Sequence, residues 1–172
     1  MNVVLTGFMG AGKSTTGRRL AKLLGVRFVD VDAEIERLHG PIPLIFERDG
    51  EQAFRALESA IVRGLAHGEP CVAALGGGAV LEPANREALR GSSYIVHLAI
   101  SARTAHRRVA HRAHRPLLGP KPDLARVSSL LSQRAAAYAD CDLTIQVDRR
   151  SAVQTANIIA RWFHDKELEQ AR

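Results

Sequence analysis

The sequence predicts an α/β fold built on a parallel sheet, and three observations carry that expectation. Short apolar runs alternate with amphipathic stretches of helical period along the chain, the pattern that builds parallel sheets through right-handed crossovers. The runs are continuous and rich in β-branched residues rather than alternating, as in a sheet covered on both faces. The 172 residues fit one domain with its own core.

In order, the strand candidates are Val3–Thr6, Arg27–Asp30, Cys71–Leu75, Tyr94–Ile100 and Leu143–Val147. After the first strand, Ser14–Leu24 sets Leu20, Leu23 and Leu24 on one helical face. Residues 32–66 hold two or three successive helices. The last of them, Glu51–Ala66, presents Phe54, Leu57, Ile61 and Leu65 together, with Asp49 and Gln52 as a capping pair. Ser101 and Ser151 are N-cap candidates for two later helices, and Pro122-Asp123 opens another that runs towards Tyr138. Residues 109–122 break the alternation: they are basic, contain Pro116, Pro120 and Pro122, and lack periodicity. Long excursions of this kind in compact α/β domains are usually functional loops or lids.

Composition narrows the function classes. The apolar fraction is 46% and the charged fraction 24%, ordinary for a globular protein. Cys71 and Cys141 stand far apart with no C-x-x-C pair, so neither a redox motif nor a cysteine zinc site is expected. No apolar run is long enough to span a bilayer, and no basic segment precedes Val3 as in a signal peptide. A cytoplasmic protein without a membrane partner is the expectation. The net charge of +6 fits a solubilising surface or small anionic substrates. Only 5% of residues are aromatic and none interleave with a basic stretch, which argues against a nucleic-acid partner.

The sharpest signal is Gly7-Phe8-Met9-Gly10-Ala11-Gly12-Lys13-Ser14, a full match to G-x-x-x-x-G-K-[ST] between a strand and a helix. Glycines let main-chain N–H groups turn inward onto phosphate oxygens, and the following helix adds partial positive charge. Lys13 then reaches the β- and γ-phosphates of a nucleotide, and the Ser14 hydroxyl can coordinate magnesium.

Other candidates depend on this loop for their meaning. Phe28-Val29-Asp30-Val31-Asp32 ends a strand with two carboxylates, at the sheet edge where ligands of open α/β sheets sit. Asp32 can be the N-cap of Ala33–His39 or a site carboxylate, and Asp30 is the better magnesium candidate because the third strand ends without an aspartate. Gly76-Gly77-Gly78 is either a plain turn or a set of bare amides facing a ligand. Arg55, with Glu51 and Glu58 at i−4 and i+3, reads equally as a surface ion-pair ladder. Arg107, Arg108, Arg112 and Arg115 make a basic segment that can neutralise a transferring phosphoryl group or simply face solvent. Arg134 has no motif of its own.

Taken together, the chain resembles the shikimate kinase family from Val3 to about Phe163. The pieces occur in that family's order: the phosphate loop with Thr15, Asp30-Val31-Asp32, Phe54-Arg55 with Glu58, Gly76-Gly77-Gly78, Arg115-Pro116-Leu117-Leu118, and Arg134 with Tyr138. The resemblance implies strand order 2-3-1-4-5, with one kinase domain carrying a substrate-binding insertion at about 32–66 and a lid at about 109–122. It implies ATP-dependent phosphorylation of the 3-hydroxyl of shikimate in aromatic amino-acid biosynthesis, with Mg2+ and a monomeric enzyme. By the same resemblance Lys13, Asp32 and Arg115 are catalytic, and Gly10, Ala11, Gly12, Lys13, Ser14, Thr15, Arg108 and Arg115 bind ATP. Asp32, Arg55, Gly77, Gly78 and Arg134 bind the acid, Glu58 orients Arg55, and Ser14 and Asp30 serve the metal. The chain departs from the family at Gly40-Pro41-Ile42-Pro43, which is proline-rich, and at Asp148-Arg149-Arg150-Ser151, which lacks a proline beside adenine. A kinase for gluconate or another small hydroxy acid, and a non-catalytic nucleotide-binding module, are the alternative readings.

Overall fold

The computed structural model describes residues 1–109 and 123–170. Five strands form one parallel sheet: β1 (Asn2–Thr6), β2 (Arg27–Asp30), β3 (Cys71–Ala74), β4 (Ser93–Ala99) and β5 (Leu143–Gln146). The order is β2-β3-β1-β4-β5, as expected. The central strands explain the continuous apolar runs: every residue of β1 and β3 is buried, because helices cover both faces. Val3 of β1 pairs with Val72 of β3 on one side and Tyr94 of β4 on the other. At the amino edge the buried Asn2 side chain closes the sheet, donating to the Leu65 carbonyl at 3.0 Å and accepting from the Cys71 N–H at 2.9 Å.

The helices are α1 (Lys13–Leu24), α2 (Val31–His39), α3 (Ile42–His67), α4 (Pro83–Arg90), α5 (Ala102–Val109), α6 (Leu124–Ala139) and α7 (Ala152–Gln170). Their starts obey local hydrogen-bonding chemistry. Ser101 Oγ accepts from the Thr104 N–H, and Ser151 and Gln154 cap one another. The Asp123 carboxylate accepts from the Arg126 N–H at 2.7 Å.

Several expectations are corrected. α2 is capped by Asp30, whose carboxylate accepts from the Ala33 N–H, so Asp32 sits inside the first turn instead of at the cap. The third helix starts at Ile42, and Gly50, at φ 82°, kinks it where Glu51 was expected to begin a separate helix. Pro41 and Pro43 fall at its amino end, where a missing N–H costs no intrahelical bond. Asp49 does not pair with Gln52; its carboxylate takes Arg48 at 2.6 Å. Leu23 is 52% exposed, because α1 buries the stripe through Thr16, Gly17, Leu20 and Ala21. The deepest stripe of α3 runs through Phe54, Glu58, Val62 and Leu65 rather than Leu57 and Ile61.

The join of β1 to α1 is tightly packed against the main chain of β4. Gly7 has φ 137°, and a Cβ there would meet the Leu98 carbonyl oxygen of β4 at 2.5 Å. Backbone cannot swing aside as a side chain can. Gly7→Ala is therefore expected to destabilise the fold by about 2–4 kcal/mol, from strain and overlap together, measured by urea denaturation; an unchanged midpoint would contradict the packing.

Candidate active site

The carboxyl ends of β1, β2 and β3 open onto a cleft of roughly 490 Å³. Its floor is the loop Met9–Ser14 with Thr15, its sides carry Asp30, Asp32 and Gly77, and Arg107, Arg108 and Arg150 overhang it. The loop is held from inside. Lys13 Nζ, at the first position of α1, donates to the carbonyls of Gly7 at 2.8 Å and Phe8 at 3.3 Å. Arg108 reaches across from α5 and donates to the Gly10 carbonyl at 2.9 Å. The far wall is Val147, Arg150, Ser151 and Ala152, so the segment without the expected proline still closes the cleft.

Asp148 ties the two overhanging walls together. Its carboxylate, just ahead of Arg150, accepts from the Ser101 N–H at 3.1 Å and from the Ser101 hydroxyl at the start of α5. Burial pushes this carboxyl up, but the donors from Ser101, Thr104 and Gln146 outweigh it and hold it at about 2.

Next to the cleft, four charged side chains from three helices meet at the glycine triplet. A Cβ on Gly76 would lie 2.1 Å from Glu58 Oε1 and 2.8 Å from Asp32 Oδ1, and one on Gly78 would lie 2.7 Å from both terminal nitrogens of Arg55. Only glycine leaves room for these groups. Arg134 Nη1, from α6, donates to the Gly77 carbonyl at 3.0 Å, and the Tyr138 hydroxyl donates to the same oxygen at 2.5 Å. Arg55 bridges Glu58 at 2.7 Å and Glu51 at 3.1 Å. Burial pushes the Glu58 carboxyl above the ordinary glutamate range against the pull of Arg55. Arg55 keeps a firm charge, its own burial being outweighed by Glu58 and Glu51. Two buried polar atoms, Glu58 Oε1 and Arg134 Nε, have no hydrogen-bond partner among the described residues, as in a pocket built for a polar occupant.

Most of the site candidates therefore converge. Gly10, Ala11, Gly12, Lys13, Ser14, Thr15, Asp30, Asp32, Gly77 and Arg108 line one cleft, and Arg55, Gly78 and Arg134 adjoin it through the triplet. Arg115, with the rest of 110–122, lies outside the described residues. Tyr138 and His97 were not among the candidates. His97 stacks on Tyr138 at a centroid distance of 5.0 Å, and its only signal in the sequence is a lone polar residue in an apolar strand.

A strand–phosphate loop–helix unit beside a buried carboxylate and guanidinium cluster is the arrangement of a phosphate-loop phosphotransferase for a small anionic acceptor. The comparisons narrow the class. The shikimate kinase family model matches residues 9–163, and the chain belongs to that family. The shikimate kinase of Thioalkalivibrio sulfidiphilus is 43% identical over 94% of this chain and 86% of its own length. A solved shikimate kinase from Acinetobacter baumannii, in complex with shikimate, superposes with TM-score 0.91 at 37% identity, over 97% of this chain and 94% of that one. A gluconokinase from Sinorhizobium meliloti shares the fold alone, with TM-score 0.64 at 20% identity over 99% of this chain and 97% of that one.

The depressed Asp148 carboxyl has a thermodynamic consequence. A folded-state value of about 2, below the ordinary aspartate value, gives stability present above pH 4 and lost as pH falls towards 2. Asp148→Asn should thus destabilise the protein more at pH 6 than at pH 3 in urea titrations. An equal penalty at both would contradict the assignment.

Proposed function

We propose that this protein transfers the γ-phosphoryl group of ATP to the 3-hydroxyl of shikimate, a step of aromatic amino-acid biosynthesis. The observation that carries the reading is the meeting of Asp32, Glu58, Arg55 and Arg134 at the glycine triplet, beside the loop that holds Lys13. In this reading residues 32–66 form the acid-binding part of a single kinase domain, and the basic segment 109–122 is its lid. The enzyme works in the cytoplasm as a monomer, without a nucleic-acid or membrane partner.

The chemistry follows from the positions. Main-chain N–H groups of Gly10–Thr15 cradle the phosphates, and Lys13 balances charge on the transferring group. Arg108 covers the nucleotide, and Arg115 from the lid meets the phosphates. Arg55 and Arg134 take the acceptor's carboxylate, for which planar guanidinium forks suit better than ammonium groups. Gly77 and Gly78 hold the ring from the main chain. Asp32 lies where cleft and acid pocket join, so it can accept the hydroxyl proton as oxygen attacks phosphorus.

The donor set fits Mg2+. Among the described residues no group of three His, Cys, Asp or Glu could hold a metal by itself, and Mg2+ typically takes one or two protein oxygens with the rest from phosphates and water. Ser14 and Asp30, both on the cleft, would hold it, and the ion would neutralise negative charge on the phosphates during transfer.

Arg55→Ala is expected to raise the KM for shikimate on the order of 100-fold, the loss of about 3 kcal/mol from a buried charge contact, while the KM for ATP stays within about twofold. Equal losses for both substrates in ADP-release kinetics would separate Arg55 from the acid. Lys13→Ala should cut kcat by about 100-fold or more, with shikimate still bound; near-normal turnover would remove Lys13 from the reaction. Offering shikimate, quinate, gluconate and nucleoside monophosphates in parallel tests the whole reading. Turnover preferring any of the last three to shikimate would overturn it.

A further inference from the structure

We propose that His97 is a positioning residue that couples the phosphate loop to the acid-binding glycine triplet through the ring of Tyr138. The inference rests on the function proposed above and deepens it.

The path is continuous in space. His97 pairs in register with Thr6, the last residue of β1 before the phosphate loop. Its Cδ2 edge lies 3.5 Å from where a Gly7 Cβ would sit, so the imidazole packs on the entry to that loop. One face of the same ring is stacked on Tyr138, 5.0 Å between centroids with 21° between planes. Tyr138 is buried, and its hydroxyl donates to the Gly77 carbonyl. Arg134 shares that carbonyl, and its guanidinium lies 5.8 Å over the Phe8 ring of the phosphate loop. Gly77 itself lines the cleft. One peptide carbonyl between the two half-sites is thus aimed by two α6 side chains, and each of them leans on a group at the base of the phosphate loop.

His97 does this with its ring, not its nitrogens: it makes no hydrogen bond among the described residues. Burial, with Lys13 nearby, keeps the imidazole below its usual value, and burial likewise keeps the Tyr138 hydroxyl a donor. A flat ring is what the stack requires. His97 touches the phosphate-loop entry directly and the glycine triplet only through Tyr138, so its shape matters at the stack. The prediction therefore distinguishes shape from volume. A planar substitute should suffice, and an aliphatic one of similar bulk should not.

The test compares His97→Phe, His97→Leu and His97→Ala in steady-state kinetics, with hydrogen exchange of residues 75–81 in the free protein. His97→Leu and His97→Ala should raise the KM for shikimate about five- to tenfold, leave the KM for ATP within about twofold, and speed exchange at 75–81. His97→Phe should restore both readouts to within about twofold of the parent. A fall in kcat with both KM values and the exchange unchanged, or a failure of His97→Phe to rescue where it folds, would overturn the coupling. Should His97→Ala not fold, His97→Leu carries the same comparison. If the parent protein does not turn over shikimate, the function reading falls. The exchange arm still decides the coupling: unchanged protection in His97→Leu sinks it, faster exchange restored by His97→Phe sustains it.

Discussion

The site depends on one steric constraint: no side chain may project from the backbone at 76 and 78. The atoms nearest those vacant directions are Glu58 Oε1, Asp32 Oδ1 and the terminal nitrogens of Arg55. Four ionisable groups thereby gather against an otherwise apolar core, each of which would cost several kcal/mol if buried alone. They persist because they are arranged as opposed charges and because the main chain approaches closely enough to share in the bonding. Glu58 shows the tension most plainly. It is 1% exposed on the face of α3 that also buries Phe54 and Val62, and among the described residues it keeps one oxygen without a partner. A protein shaped only for stability would place an aliphatic residue there.

Topology explains why this cluster meets the phosphate loop. β1 is central, with β3 on one side and β4 on the other, so the chain leaving β1 and the chain leaving β3 emerge side by side. That is the crevice at which open parallel sheets bind ligands. β2 lies beyond β3 and brings Asp30 and Asp32 to the same edge, since parallel pairing aligns the carboxyl ends. The opposite edge carries structural closure such as the Asn2 clamp.

This division also explains what was legible in the sequence. The phosphate loop, the strand runs and most helix caps are local patterns, readable because their causes lie within a few residues. Arg55 was ambiguous for a good reason: half of its bonding is the exposed ladder with Glu51 that local spacing suggests, and half is the buried pair with Glu58. The overlooked signal was periodic, for Phe54, Glu58 and Val62 recur every four residues with a charge in the middle of an apolar stripe. Asp30 and Asp32 exchanged capping roles because either carboxylate can reach a first-turn N–H, and only the backbone path decides. Arg134 and Tyr138 belong to no local motif, and His97 shows only as a polar residue in an apolar strand. Their partners, Gly77 and the loop entry, lie more than fifty residues away in sequence, where spacing rules have no purchase.

The net charge of +6, neutral between several readings at the level of composition, acquires meaning from its distribution. Lys13, Arg107, Arg108 and Arg150 face the cleft against Asp30 and Asp32, and low-dielectric walls focus such a field on an entering anion. Part of this charge is spent on the protein itself: Lys13 and Arg108 both hold loop carbonyls. A polyphosphate entering the cleft would compete for those cations. Under the proposed function, carbonyls of the loop would serve as interim partners, keeping one cation at the floor and one above it ordered, so that a ligand would find them already in place. Preorganisation of this kind lowers the ordering cost of binding. It also gives, under the proposed function, a physical reason for the short reach of Lys13 back to Gly7 and Phe8: the side chain would already stand at the loop when an anion entered.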